Sequence, residues 1–226
     1  NLSHELRTPL NAILGFSTIL KKQIPSQEEI QNDYVDSISI SGRSLLRLVN
    51  SVHDFTKIEL GELKVVKKKC NLKKVLTSTS LHFKHECGLK GISFQLEIPD
   101  DTPSTIESDE LALKQVLDNL LSNALKFTKK GHIKVKVKAE FKKDRVDLSI
   151  KVEDTGQGIP LEKLEKLFEP FSQVHDQGVV HERGSGLGLY ISSKIIEDLG
   201  GSLGVSSDVG EGSCFSIQLP DVIFLK

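Results

Sequence analysis

The spacing of apolar residues changes near Gly61, and this change limits what the chain can fold into. Before it, apolar residues recur every three or four positions, as on one stripe of an α-helix. After it, apolar and polar residues alternate, as in strands with one buried face. The pattern predicts a helical hairpin followed by an α+β unit, and we expect domains of residues 1–64 and 65–226.

Each helix of the predicted hairpin has one narrow apolar seam, and Pro25 ends the first helix. The seam positions are Leu10, Ile13, Ser17, Leu20 and Ile24, then Tyr34, Ile38, Ser41, Leu45, Leu48, Val52 and Phe55. One hairpin cannot bury both seams well, whereas two hairpins would form a four-helix bundle. We therefore expect a homodimer through residues 1 to 60.

The second unit mixes strands and helices without strict alternation, which predicts an α+β sandwich, a mixed sheet covered by helices on one face. The predicted strands cover residues 94–98, 133–139, 146–152 and 215–219, the second and third forming an antiparallel hairpin. The predicted helices run from about Lys73 to Cys87, from Asp109 to Phe127, and from near Ser185 to Leu199.

Composition narrows the possible partners and the compartment. A net charge of -1 gives no broad field for nucleic acid, and the three cysteines lack metal-ligand spacing, which fits packing residues in a reducing compartment. No signal peptide and no apolar run of about 20 residues is present. We expect a cytoplasmic piece of a longer protein that itself contacts neither membrane nor nucleic acid; whether the whole protein is membrane-anchored stays open.

Three glycine-rich loops, residues 154–158, 184–188 and 210–212, indicate a nucleotide site that is not a P-loop, because no Gly-Lys-Ser or Gly-Lys-Thr closes any of them. Gly184, Gly186 and Gly188 precede a helix, so that free backbone N–H groups and the positive helix end are offered to phosphates. The polar stretch between Phe171 and Gly184 is long and irregular enough to serve as a lid.

Two further segments predict how the nucleotide is held. Asn119 and Asn123 are one helical turn apart and Lys126 follows, so that two amides and an ammonium lie along one edge. Amide oxygens suit Mg²⁺, which would bridge to phosphate oxygens. Asp154 comes at a strand end, followed by Gly156 and Gly158, and a carboxylate there can accept a hydrogen bond from the adenine amine.

Far upstream, Ser3-His4-Glu5-Leu6-Arg7-Thr8-Pro9-Leu10 is predicted to be helical. A neutral imidazole is a competent nucleophile, and the neighbouring carboxylate of Glu5 would stabilise the cation that forms. Together with the loops, this box indicates an enzyme that phosphorylates its own histidine.

The motifs, in this order, resemble the sensor histidine kinase core, in which dimerisation and phosphoacceptor helices precede a Bergerat-type ATP-binding domain. They are the His4 box, 119–127, 154–160, Leu167-Phe168-Glu169-Pro170-Phe171, 184–189 and 210–212. The resemblance covers nearly the whole chain. It implies ATP and Mg²⁺ as cofactors and autophosphorylation of His4 as the activity.

The resemblance also implies roles for individual residues. His4 matches the phosphoacceptor, Glu5 the acid that takes or holds its proton, and Thr8 a residue that positions water in a reverse, phosphatase reaction. Asn123 matches the Mg²⁺ ligand. The remaining matches are to nucleotide-binding positions: Asn119, Lys126, Asp154, Gly156, Gly158, Gly184, Gly186, Leu187, Gly188 and Gly212. Gly210 and Gly212 together match the last glycine motif of the family. Ser185 and Ser213 stand where the family commonly has threonine.

The resemblance implies that the phosphoryl group passes to an aspartate of a response-regulator receiver domain in two-component signal transduction. Two alternatives stay open on the sequence. One is a degenerate module that binds nucleotide and dimerises without turnover. The other is an ATPase of the chaperone, mismatch-repair or gyrase type, which shares the asparagine and Asp-x-Gly motifs but lacks the His-Glu box.

Overall fold

A computed structural model describes residues 10–11, 13–15, 17–21, 29–172 and 185–225. The chain divides into two compact units, Asn1–Glu62 and Leu63–Lys226. His4, Glu5, Thr8, Pro25 and Gly184 lie outside the described residues. Within the described part, no helix is both long and apolar enough to cross a membrane.

The first unit is helical. Its described residues between 10 and 21 are α-helical, and helix α1 comprises Glu29–Glu59. Helix α1 ends at Gly61 with a positive φ of 67°, where Glu62 N–H donates to Lys57 C=O and Gly61 N–H to Ile58 C=O. This is a Schellman ending, which needs a residue without a Cβ at the left-handed position.

The two helices of this unit pack through two predicted seam positions of the first helix, Leu10 and Ser17, and through a stripe of α1 that lies beside its predicted seam. The buried positions are Leu10, Ser17, Val35, Ser39 and Val49. A Cβ on Gly42 would come within 3.0 Å of the Leu14 side chain, so the glycine, a weak helix former, permits a close helix approach. The predicted seam stays exposed, at 44–52% of each side chain, at Ile13, Leu20, Ile38, Leu45, Leu48 and Val52.

The second unit contains a mixed sheet, as the alternating pattern predicts, but with seven strands where the sequence indicates four. The strands are β1 (Lys68–Asn71), β2 (Ser93–Glu97), β3 (Thr105–Ser108), β4 (His132–Lys142), β5 (Arg145–Asp154), β6 (Ser202–Asp208) and β7 (Gly212–Leu225). Their order is β1-β3-β7-β5-β4-β2, and β6 pairs with β7. Only β2 and β4 are parallel among these pairs.

Among its described residues this unit has four helices, and the longer ones cover one face of the sheet. They are α2 (Leu72–Leu89), α3 (Glu110–Phe127), α4 (Leu161–Leu164) and α5 (Gly188–Asp198). Asp109 caps α3 because its carboxylate accepts from the N–H groups of Leu111 and Ala112. The apolar face of α3 is fully inside, with Leu113, Val116 and Leu120 at 0% exposure.

The segments β1, β3 and β6 are strands that the alternating pattern does not predict. The first two have four residues each, too few for a period, and β6 contains a glycine and three serines. Residues after Pro220, which the sequence leaves undecided between a connection and a tail, continue β7 beside β5 and β3. Cys70 and Cys87 are buried and all three cysteines are free thiols, as expected of packing residues.

Candidate nucleotide site

Four segments of the second unit converge at the end of the sheet where β5 finishes. They are the carboxyl half of α3, the loop 154–160 after β5, residues 185–188 before α5, and the turn between β6 and β7. Their backbones approach so closely that several positions have no room for a Cβ atom. The sequence-predicted segments 119–127, 154–160, 185–188 and 210–212 are therefore brought together.

Asp154 lies at the end of β5 with its carboxylate half-buried. Burial raises the pKa of this carboxyl above its usual value of 3.8, although backbone hydrogen bonds from Gly156 and Ser213 act in the opposite direction. The Gly156 N–H donates to Oδ1 at 2.7 Å. A carboxylate that has lost part of its hydration gains from a further donor, such as a ligand amine.

The loop after Asp154 is confined on both sides. A Cβ on Gly156 would stand 2.7 Å from the carbonyl oxygen of Phe127, at the end of α3. Gly158 has a φ of 71°, and a Cβ there would overlap the Asp208 carbonyl. Both glycines are thus required by close backbone approach, which gives the edge beside Asp154 its shape.

Asn119 joins the two helices that flank the site. Its Nδ2 donates to Ser192 Oγ of α5 at 2.9 Å, and its Oδ1 lies where a Cβ of Gly188 would be. Ser192 is buried, at 2% exposure. Asn119 therefore holds the start of α5 against α3, a role that its spacing from Asn123 does not reveal.

Asn123 and Lys126 follow on the same helix and are both half-buried. Within the described part of the chain, no hydrogen bond engages the Asn123 side-chain amide. The Lys126 ammonium lies 5.0 Å from the centre of the Phe127 ring. Asn123 could thus offer its amide oxygen to a hard cation, and Lys126 a positive charge to phosphates. Among the described residues, no group of three or more His, Cys, Asp or Glu side chains could hold a metal ion.

The amino end of α5 supplies the predicted anion-binding feature. Gly186 has a φ of 70°, and a Cβ there would stand 2.7 Å from the Phe171 carbonyl carbon. Leu187 is fully buried, and its N–H donates to Ser185 Oγ at 3.3 Å. The helix begins at Gly188 with its first N–H groups and its positive end at the site. Residues 173–184, which include the predicted lid and Gly184, lie outside the described part.

The turn between β6 and β7 packs against Asp154 and the loop that follows it. Gly212 has a φ of 115°, and a Cβ there would overlap the Asp154 carbonyl. Gly210 N–H donates to Gln157 C=O at 2.8 Å. Ser207, which the sequence motifs do not single out, accepts from Ile159 N–H at 2.9 Å. Because β6 contains three serines, the local sequence does not indicate that Ser207 makes this contact.

Two family models match the chain. The model described as "Histidine kinase-, DNA gyrase B-, and HSP90-like ATPase" matches residues 108–223, and that described as "His Kinase A (phospho-acceptor) domain" matches residues 1–61. The ATPase match covers the candidate nucleotide site, and the phosphoacceptor match covers the segment that contains His4.

Similar proteins carry kinase names. The sensor histidine kinase GacS of Pseudomonas protegens is 40% identical over 97% of this chain, and the autoinducer 2 sensor kinase/phosphatase LuxQ of Vibrio vulnificus is 38% identical over 97%. The chain spans only 24% and 26% of their respective lengths.

A solved structure agrees with both units. Full-length ShkA in complex with AMPPNP superposes with a TM-score of 0.78 at 31% identity, over 100% of this chain and 46% of the other. The chain therefore belongs to the sensor histidine kinases and comprises the phosphoacceptor helices and the ATPase-like domain of that family.

Proposed function

We propose that this chain transfers the γ-phosphoryl group of ATP to His4. An imidazole nitrogen attacks the γ-phosphorus, the bond from phosphorus to the β-phosphate oxygen breaks, ADP leaves, and Glu5 takes the proton from the other ring nitrogen. The observation that carries the proposal is the convergence of Asn123, Asp154 and the amino end of α5 at one end of the sheet. The AMPPNP complex of ShkA supports a nucleoside triphosphate as the ligand.

Each end of the nucleotide has matching groups in the site. Asp154 accepts from the adenine amine, beside the loop of Gly156 and Gly158. The free N–H groups at the amino end of α5 and the Lys126 ammonium bind the phosphates, and Gly184 and Gly212 belong to the two glycine-rich loops other than that of Gly156 and Gly158. The donor set fits Mg²⁺, which Asn123 would hold and which would neutralise phosphate charge.

The first unit supplies the phosphoacceptor and the dimer. We assign residues 1–64 to dimerisation and phosphotransfer and residues 65–226 to ATP binding. The exposed seam from Ile38 to Val52 supports a homodimer, since pairing would cover apolar side chains that one hairpin leaves in water. The match of residues 1–61 to the phosphoacceptor model favours a kinase over an ATPase without phosphotransfer.

The second substrate is an aspartate of a response-regulator receiver domain in the cytoplasm. Phosphohistidine is a high-energy donor, and LuxQ is named both a kinase and a phosphatase. Thr8, four residues after His4 in the sequence, would position water when the reaction runs as a phosphatase.

A pulse-chase experiment tests this function. The chain is incubated with γ-labelled ATP and Mg²⁺, freed of nucleotide, and mixed with receiver domains. We expect the label to leave the chain and appear on a receiver aspartate, and a receiver with that aspartate changed to asparagine is the control. Transfer to a serine of the partner would contradict the proposal.

A further inference from the structure

A row of polar side chains crosses the sheet at the end that carries the site. The strand register pairs Asp154 of β5 with Ser213 of β7, and Ser213 with Ser207 of β6. Residues paired directly across strands point to the same face and lie about 5 Å apart. Ser207 therefore belongs to the same row as Asp154 although it is two strands away.

The Ser207 hydroxyl joins two of the three glycine-rich loops. It accepts from Ile159 N–H at 2.9 Å, in the loop after Asp154, and lies 2.7 Å from the Gly212 carbonyl, in the turn before β7. Its oxygen is also 3.0 Å from Ser213 Oγ.

A hydroxyl has one proton and two lone pairs, and these three contacts can use all of them. Ser207 donates to the Gly212 carbonyl, which is the shorter contact, and accepts from Ile159 N–H and from the Ser213 hydroxyl. The arrangement is complete without water. Removing this hydroxyl would therefore leave one backbone N–H and one carbonyl without their partner.

Both loops that Ser207 joins are tied to Asp154, because one loop begins at this residue and the other packs against its carbonyl. Gly212 packs against the Asp154 carbonyl, and Gly158, next to Ile159, packs against the Asp208 carbonyl. A shift of either loop would displace the edge that the proposed function assigns to the adenine base. Ser207 itself lies one strand beyond Ser213 and need not touch the nucleotide.

We propose that Ser207 is a positioning residue for nucleotide recognition, whose hydroxyl fixes the two glycine loops around Asp154 and so sets the affinity for the adenine base. The inference rests on the proposed function, because it takes the ligand of the site to be ATP. It assigns Ser207 no part in phosphoryl transfer once ATP is bound.

Ser207→Ala tests this role, with Ser207→Thr as the rescue and Ser206→Ala as the matched control. Ser206 is the adjacent residue of β6, is exposed, and pairs with Cys214 rather than with Ser213. ATP and GTP dissociation constants are measured by titration calorimetry, together with KM and kcat for autophosphorylation of the full chain.

We expect Ser207→Ala to raise the Kd and KM for ATP about tenfold, as loss of the hydroxyl and its partners predicts. The kcat at saturating ATP should stay within about twofold and GTP should lose less than about threefold, because the groups that bind phosphate are untouched. Ser207→Thr should restore ATP affinity, and Ser206→Ala should match the wild type.

The inference is overturned if Ser207→Ala binds ATP as the wild type does, if ATP and GTP lose equally, or if Ser207→Thr fails to restore affinity. A fall in kcat at unchanged KM also overturns it. If the wild type binds ATP tightly but is not autophosphorylated, the proposed transfer to His4 is refuted, whereas the role of Ser207 in ATP binding is not. A wild type that binds no ATP would refute both.

Discussion

Asp154 shows how one residue can lower the stability of the ligand-free protein and still raise its affinity for a ligand. Its pKa is raised by burial, and its carboxylate keeps only partial compensation from the N–H groups of Gly156 and Ser213. A ligand amine would supply the missing donor. The buried carboxylate thus lowers the stability of the ligand-free protein and strengthens ligand binding, as is common for charged groups in binding sites.

Asp154→Asn is expected to stabilise the nucleotide-free chain and weaken ATP binding. The folded state holds this proton more tightly than the unfolded chain, so ionisation lowers the free energy of unfolding as pH rises above the usual value of 3.8. The variant should unfold at a higher temperature than the wild type at pH 7, and the difference should vanish as pH falls toward 3.8.

The same variant should bind ATP about ten- to a hundredfold more weakly, since a hydrogen bond to a charged acceptor is lost. Asparagine keeps an oxygen for the Gly156 N–H, which makes the substitution conservative for the loop. Calorimetry at several pH values measures both effects. An unfolding temperature that is lower than that of the wild type at pH 7 would contradict the burial argument.

Gly158 and Gly210 make a matched pair for testing close approach. Both have positive φ, 71° and 88°, but a Cβ overlaps the Asp208 carbonyl only at Gly158 and meets nothing within 4 Å at Gly210. Alanine should cost about 1–2 kcal/mol of backbone strain at either position. Gly158→Ala should in addition abolish measurable ATP binding, whereas Gly210→Ala should retain it; equal loss in both variants would argue against the packing account.

At the scale of elements, the first residues of the second unit are hydrogen-bonded to two of its helices. Val65 N–H donates to Asp198 Oδ2 and Val66 N–H to Asp109 Oδ2, each at 2.9 Å. These carboxylates stand just at the ends of α5 and α3, the helices that flank the nucleotide site. The segment 63–67 therefore has fixed partners on the ATP-binding unit.

Asp198→Ala should release one of these contacts and leave the other. The Val65 amide is expected to exchange with solvent about fivefold faster, in line with loss of about 1 kcal/mol, while Val66 keeps its rate because Asp109 is unchanged. Amide hydrogen exchange by NMR measures both rates in the same sample. Unchanged exchange at Val65 would show that this hydrogen bond does not protect it.

The sequence predicts well those elements in which the periodic spacing of apolar residues continues over many residues. Helix α3 has an apolar residue on every turn and an aspartate cap, and β4 and β5 alternate over ten residues or more. Strands β1 and β3 are too short to show a period, and β7 pairs with strands far away along the chain. The contact of Ser207 with Ile159 depends on that pairing, so no local pattern could predict it.

The seam of the first unit shows a similar limit. Its apolar spacing is visible in the sequence, and Leu10 and Ser17 of the first helix are buried as part of the predicted seam, but the stripe of α1 that packs within one hairpin, including Val35, Ser39 and Val49, lies one position away from the predicted one. A helix in a four-helix bundle has two neighbours and needs two stripes. The pattern predicts the seams without saying which of them packs within the chain.

At the scale of the whole molecule, the exposed seam makes dimerisation testable with one substitution. Leu45→Glu places a charge at a side chain that is 52% exposed in the single chain and would be buried in a dimer. The variant should be monomeric at micromolar concentration by light scattering. Leu89→Glu, on the second unit and 75% exposed, is the control and should leave the wild-type mass unchanged.

A monomeric wild type would contradict the bundle. If Leu45→Glu and Leu89→Glu both dissociate the dimer, the interface is not confined to the hairpin. Dissociation by the first variant alone would support pairing through the seam.

The central claim is that the nucleotide site of the second unit phosphorylates a histidine of the first. The direct measurement is incubation of the full chain with γ-labelled ATP and Mg²⁺, followed by acid or base treatment. The account predicts a label that is stable to base and lost in acid, present in the wild type and absent from both His4→Gln and Asn123→Ala. Label that persists in His4→Gln would contradict it.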